Sequence, residues 1–301
     1  MKRTPIICTL VVAFSMATLT RCTEPQEPTY LNQKPPGLEA QVFASGIISV
    51  KDQYEYGSFF SGDGKEFYYA VIVNKKPQIR LTTYRNNQWT EPTVLLASDQ
   101  YEYNDPFLSP DQKRLFFISD RAPDGKGNKK DFDIWYIERK KNGWSDPISA
   151  GPSINSDKNE YYMSFTTDGT MYFSSNYGTD QSTDMNYDIC SSAYSNGKFQ
   201  PLTKLSDAVN SEHYEADVFV SPDETYVIFC GERPGGLGKG DLFISFKNEK
   251  GEWQKAKNMG KAVNSSGYEF CPFVSSDGKY LFFSRDGDIY WVGAEIIDAL
   301  K

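Results

Sequence analysis

Three features of the 301-residue sequence predict an all-β fold of small sheets repeated around an axis: a unit that recurs five times, strand-forming aromatics in abundance, and a final unit one strand short. The unit is an aromatic, a Glu, a short strand, an Asp turn and a second strand, as in "YEYGSFFSGDGKEFYYA" and "YEADVFVSPDETYVIFCG". Aligned on Glu55, Glu102, Glu160, Glu215 and Glu269, the repeats bring Asp63, Asp111, Asp168, Asp223 and Asp277 into step, with a separation constant to within one residue. Twenty Tyr, twenty Phe and five Trp, with Gly, Ser, Asn and Asp every few residues, favour strands and turns over helices.

Residues 1–21 stand apart from this pattern. Lys2 and Arg3 precede an apolar run from Ile6 to Leu19, the length of a signal-peptide core, so the chain is expected to be exported. The run ends in "LTRC", which resembles a bacterial lipoprotein signal and places Cys22 where the acylated cysteine stands, although Arg21 occupies a position that is usually small. The Pro-rich, polar residues 22–37 suit a tether. The folded body is expected over residues 38–301.

Within each unit a run such as "DPFLS" or "CPFVS" meets a Pro-Asp or Asp-Gly turn and reverses into "KRLFFIS" or "KYLFFS", an antiparallel hairpin. A variable loop follows. A third strand then begins at Asp133, Asp188, Asp241 or Asp288; the first unit, with "QIRLTTY", has no such Asp. A fourth segment near an aromatic ("GWSDPISAG", "KFQPLTKL", "EWQKAKNMG") and a linker ("INSDKN", "VNSEH", "VNSSG") lead back to the next Glu. Four antiparallel strands repeated radially make a propeller blade, which buries both faces of its sheet against its neighbours. The last unit stops at its third strand, "DIYWVGA", and the N-terminal "EAQVFASGIISVKDQ" can supply the fourth. The expectation is one β-propeller of five four-stranded blades closed by an N-terminal strand, with six blades as the alternative.

The pattern E-x-x-x-x-F-x-x-D-G-x-x-Y-F-x-S, the loop "GERPGGLGKGD" and the strand D-I-[YW] resemble the WD-like repeats of TolB-like and outer-membrane-associated β-propeller proteins across the whole body. The resemblance implies a cell-envelope protein with a propeller fold and is nearly silent on activity.

Removal of residues 1–21 takes away Lys2, Arg3 and Arg21, moving the net charge from −8 to −11, so neither nucleic acid nor an anionic membrane surface is an expected partner. Cys190, Cys230 and Cys271 lack metal-ligand spacing and read as buried strand residues. The single histidine, His213, and the lack of G-x-S-x-G or H-E-x-x-H signatures give no catalytic motif. No cofactor is expected.

Candidate binding residues are the carboxylates and tyrosines at the channel mouth: Glu55, Tyr56, Glu102, Tyr103, Glu160, Tyr161, Glu215 and Glu269. The reading favoured for a Glu required in every blade is structural: it accepts backbone N–H groups that fix the linkers to the adjacent sheet. Asp133, Asp188, Asp241 and Asp288 read as strand-start carboxylates; Asp180, Asp184 and Asn186 read as a solvated acidic loop, with Ca²⁺ as the alternative although the spacing matches no EF-hand, and no metal is expected. The functional expectation is an outer-membrane-anchored lipoprotein, periplasmic or surface-exposed, whose monomeric propeller binds an envelope protein or a cell-wall glycan. The alternative is a glycoside hydrolase or lyase, which would require two non-equivalent carboxylates deep in the channel at positions that break the repeat.

Overall fold

The computed structural model describes residues 30–177 and 186–301. Five small antiparallel sheets form the blades, four of them from strands that follow one another along the chain. The first blade pairs Glu55–Phe60, Glu66–Val73, Lys76–Arg85 and Thr93–Leu96 in order. The second uses Asn104–Leu108, Arg114–Ser119, Asp133–Lys140 and Ile148–Ser149. The third uses Glu160–Phe165, Met171–Ser175, Asp188–Ser192 and Thr203–Lys204. The fourth uses Tyr214–Val220, Tyr226–Glu232, Asp241–Phe246 and Lys257–Asn258.

The fifth blade closes the ring. Glu269–Val274, Tyr280–Arg285 and Asp288–Gly293 come from the C-terminal end, and Gln41–Val42 is added from the N-terminal end by pairing with Trp291 and Tyr290. The next residue, Phe43, donates its N–H to Ile289 O at 2.7 Å and buries its ring among Phe67, Phe282 and Trp291. Burying such a side chain is worth about 1.5–3 kcal/mol, which makes the two-residue strand an anchored closure. Docking begins earlier than the expected tether boundary. Tyr30 packs on the fifth blade, Leu31 is buried, and Gly37 O accepts the N–H of Gly293 at 2.8 Å.

The first two strands of each blade are buried on both faces because each sheet is sandwiched between neighbours. The repeated turn Asp has a common duty. In four blades it accepts from a Ser or Thr two residues earlier: Ser61 to Asp63 at 2.7 Å, Ser109 to Asp111 at 2.6 Å, Thr166 to Asp168 at 2.5 Å and Ser275 to Asp277 at 2.8 Å. These turns share one face of the disc, the turn face. The linkers and the loops between second and third strands share the other, the linker face. The described cysteines are free and buried. Among the described residues no helix is long and apolar enough to cross a membrane.

Candidate functional site

On the linker face the repeated Glu side chains point into the junctions between blades. Glu55, Glu160, Glu215 and Glu269 are fully buried. In three linkers an Asn-Ser pair forms a latch. The Asn side chain pairs with both backbone groups of the residue after the third-strand Asp. Asn210 accepts from Ile189 N at 2.7 Å and donates to Ile189 O at 3.0 Å; Asn155 does the same with Ile134 and Asn264 with Leu242. The Ser then reaches forward to the next blade: Ser211 donates its N–H and hydroxyl to the two oxygens of Glu215 at 2.8 and 2.5 Å. Ser156 serves Glu160 and Ser265 serves Glu269 in the same way. Arg233 and Arg285 add Nε–H bonds to Glu215 and Glu269 at 2.7 and 2.6 Å.

These carboxylates are therefore held inside the junctions and do not face a ligand at the mouth. The physical reason is the hydrogen-bond demand of the linker backbone. Glu160, which has no arginine at this distance, is pushed up to about 8 by burial, against the pull of its Ser156 bonds. Glu55, served by Val50 N–H at 3.4 Å, is pushed up to about 7 by burial.

Glu102 is the exception, and its placement corrects the alignment. In the second blade Asn104 pairs with Ile118 and Phe107 with Phe116, so Tyr103 occupies the position held elsewhere by the Glu. Glu102 lies one residue outside this column, ion-paired at 3.0 Å with Lys129 from the 120–132 loop. Of the strand-start carboxylates, Asp241 accepts from Leu237 N, Gly238 N and Asn258 Nδ2 at 2.6, 2.9 and 2.7 Å, and Asp188 pairs with Lys204. Asp133 is pushed up to about 6 by burial and by the neighbouring Asp131, and burial also raises Asp288. Cys22, Asp180 and Asp184 lie outside the described residues; Asn186 is described. Among the described residues no three His, Cys, Asp or Glu side chains are placed to hold a metal ion.

The tyrosines form an aromatic collar around the mouth. Ring centroids run Tyr54–Tyr56 at 5.8 Å, Tyr56–Phe270 at 6.2 Å and Phe270–Tyr268 at 5.6 Å on one side. Tyr214–Tyr187 at 5.7 Å, Tyr187–Tyr161 at 5.3 Å and Tyr161–Phe132 at 5.3 Å continue it on the other. Tyr54 is exposed, Tyr161 half-buried, and Tyr56 and Tyr103 are buried.

Below the collar lies a cluster that sequence reasoning missed. The first strand of every blade carries a bulge, and its residue turns into the left-handed region: Gly57, Asp105, Tyr162, Asp217 and Cys271, with φ of 53°, 51°, 35°, 54° and 50°. This variable column lines the axis. Tyr162 donates to Pro272 O at 2.8 Å, joining the third blade to the fifth. Cys271 Sγ donates to Asp105 Oδ1 at 3.4 Å. Gly57 is needed opposite, since a Cβ there would lie 2.4 Å from Asp105 Oδ1. Burial pushes the Asp105 and Asp217 carboxyls up, and the charge of Asp217 raises Asp105 further. Burial and like charge thus both disfavour the ionised form of Asp105. The sequence signal was the break in pattern two residues after the Glu column.

Toward the turn face the axis is closed by Phe59, Phe107, Phe219 and Phe273, with centroids of 4.0 Å for Phe59–Phe107 and 4.8 Å for Phe59–Phe273. Beyond them opens a depression of about 230 Å³, also lined by Phe165, Pro110 and Pro222.

No protein-family model and no curated protein matches the chain. Among solved structures it is similar to TolB from Acinetobacter baumannii, with 18% identity and a TM-score of 0.51 over 80% of this chain and 54% of that one. The chain thus spans about half the length of that structure. It is also similar to a protein of unknown function from Dyadobacter fermentans, with 16% identity and a TM-score of 0.52 over 87% of this chain and 84% of that one. At these identities the likeness concerns the fold: the chain is a five-bladed β-propeller of TolB-like fold.

Proposed function

We propose that the protein is an exported, lipid-anchored component of the cell envelope whose propeller binds a protein or glycan partner without catalysing a reaction. One observation carries the binding reading. The axis is filled by Tyr162 and the four phenylalanines, so Asp105 and Asp217 are only 6% and 9% exposed, whereas aromatic side chains and open clefts lie on the two faces. Export and anchoring rest on the Lys2-Arg3 start, the apolar run and "LTRC", with Cys22 as the lipidated residue. The TolB-like fold is compatible with an envelope role. The test is metabolic palmitate labelling of the native protein, which Cys22→Ser should abolish, followed by pull-down from envelope extract. A stoichiometric partner or a retained wall glycan supports the reading; unlabelled protein refutes the anchor.

A second reading is favoured by the axial pair itself. Asp105 and Asp217 are two carboxyls at axial positions that break the repeat, and glycoside cleavage uses a pair of carboxyls in distinct roles. Turnover on a glycan panel that is lost in Asp105→Asn would establish this reading and overturn the first.

A further inference from the structure

A cavity of about 400 Å³ lies on the turn face between the second and third blades, outside the collar and the axis. Aromatic walls (Phe116, Phe165, Tyr194 and Phe199) meet polar edges at Asp111 and Arg114. The corresponding cleft between the fifth and first blades is occupied by the chain itself.

Strand register establishes the correspondence. Phe116 pairs with Tyr136 as Phe282 pairs with Trp291, Tyr194 pairs with Phe199 as Tyr84 pairs with Trp89, and Phe165 ends its strand as Phe60 does. Tyr30 fills the fifth–first cleft. Its ring lies 5.2 Å from Phe60, 4.8 Å from Tyr280 and 5.9 Å from Phe282, and its hydroxyl donates to Asp277 Oδ1 at 2.7 Å. That carboxylate also accepts from Ser275 Oγ at 2.8 Å and Lys279 N at 3.1 Å. Asp111 is held alike, by Ser109 Oγ at 2.6 Å and Lys113 N at 3.1 Å, beside the cavity. Of the differences between the two clefts, only one changes charge. Arg114 stands where Tyr280 does, its guanidinium over the Tyr136 and Tyr194 rings at 5.2 and 5.7 Å, which gives the empty cleft a cationic wall.

We infer that the cleft between the second and third blades is a docking site for a tyrosine side chain on an extended segment of a partner protein. The phenol donates to Asp111, and its ring lies between Phe116, Phe165 and Phe199. This deepens the binding role proposed above and narrows the partner to protein. It is independent of the anchor.

The test uses fluorescence anisotropy on the purified full chain, with a labelled peptide of residues 27–36, "EPTYLNQKPP", as the probe. Saturable binding is expected, weakened about a hundredfold by Tyr30→Ala in the peptide, since buried aromatics dominate such contacts. In the protein, Asp111→Asn should weaken it about tenfold and Thr167→Trp, at the exposed rim, should block the cavity, while Asp277→Asn has no effect. Circular dichroism verifies that the variants are folded. Absence of saturable binding overturns the inference, as does loss with Asp277→Asn instead of Asp111→Asn, which would mean that the probe displaces the chain's own Tyr30. Capture of a glycan by a chain that ignores the peptide would leave the general binding role standing and sink this site.

Discussion

Replacing Phe43 by alanine should open the ring at its closure. The side chain is fully buried, and its ring lies 5.1 Å from Trp291 and 5.2 Å from Phe282 in the fifth blade, and 5.3 Å from Phe67 in the first. Deleting a buried phenylalanine of this kind costs about 3–5 kcal/mol, combining lost transfer energy with the cavity left behind. For a domain of this size each kcal/mol lowers Tm by about 2–4 °C, so the melting point should fall by about 6–20 °C. Thermal and urea melts followed by tryptophan emission are the assay, with Trp291, which pairs with the closing strand, one of the five reporters. Leu38→Ala is the control: Leu38 is 57% exposed and its removal should stay within about 0.5 kcal/mol. A Phe43→Ala loss below about 1 kcal/mol in these melts would refute the claim that this residue latches the two chain ends.

Three further outcomes are expected. Asn210→Ala leaves the buried N–H of Ile189 without its partner, while Ile189 O keeps the Leu205 N–H at 3.0 Å, and should destabilise by about 1–3 kcal/mol in urea titration. Glu55, Glu160 and Asp133 have folded values raised to about 7, 8 and 6, against about 4 when unfolded. The folded state therefore holds extra protons between these values, so the contribution of these three groups is fully present below pH about 4 and is lost as pH rises to about 8, while the turn carboxylates Asp111, Asp168, Asp223 and Asp277, lowered in the folded state, act in the opposite direction at acid pH; between pH about 5 and 8 the decline should be shallower in Glu160→Gln than in the parent. Filling the glycine position opposite Asp105 with Gly57→Ala forces a side chain into the left-handed region and against the carboxylate, and should cost more than 1 kcal/mol by the same titration.

The repeat made much of the fold readable, because a blade is a local object: alternating strands, an Asp turn, and a linker of fixed length. The borrowed strand was also readable, since an incomplete last unit needs a partner and "EAQVFASG" had the character of a fourth segment. The site was less so. The repeated Glu column advertised itself as a ring of carboxylates, yet side-chain direction at a junction depends on which backbone groups lack partners, and only the fold brings Asn210 and Ser211 to them. The slip at Glu102 was visible in the sequence as the one nine-residue spacing among eights. The axial Asp105 and Asp217 were hidden for the opposite reason. They occupy a column with no consensus residue, Asp in two blades and Gly, Tyr and Cys in the others, and the bulge that aims them inward is a backbone feature with no fixed residue type.

Tyr30 ties the chain's beginning to its geometry. Its hydroxyl is fixed to Asp277, a turn-face residue, and it stands eight positions after Cys22. A fully extended stretch of that length spans at most about 29 Å. A lipid on Cys22 would therefore hold the turn face close to the bilayer and direct the aromatic collar away from it. The cleft between the second and third blades would then meet segments that are themselves near the membrane, while the collar meets soluble or wall-bound partners. A fluorophore on Asp168→Cys, at the turn face, should be quenched by spin-labelled headgroups in proteoliposomes, and one on Lys239→Cys, in the 232–240 loop, should not. Equal quenching of both would mean that attachment at Cys22 does not orient the disc, and the two faces could not be assigned separate partners on this ground.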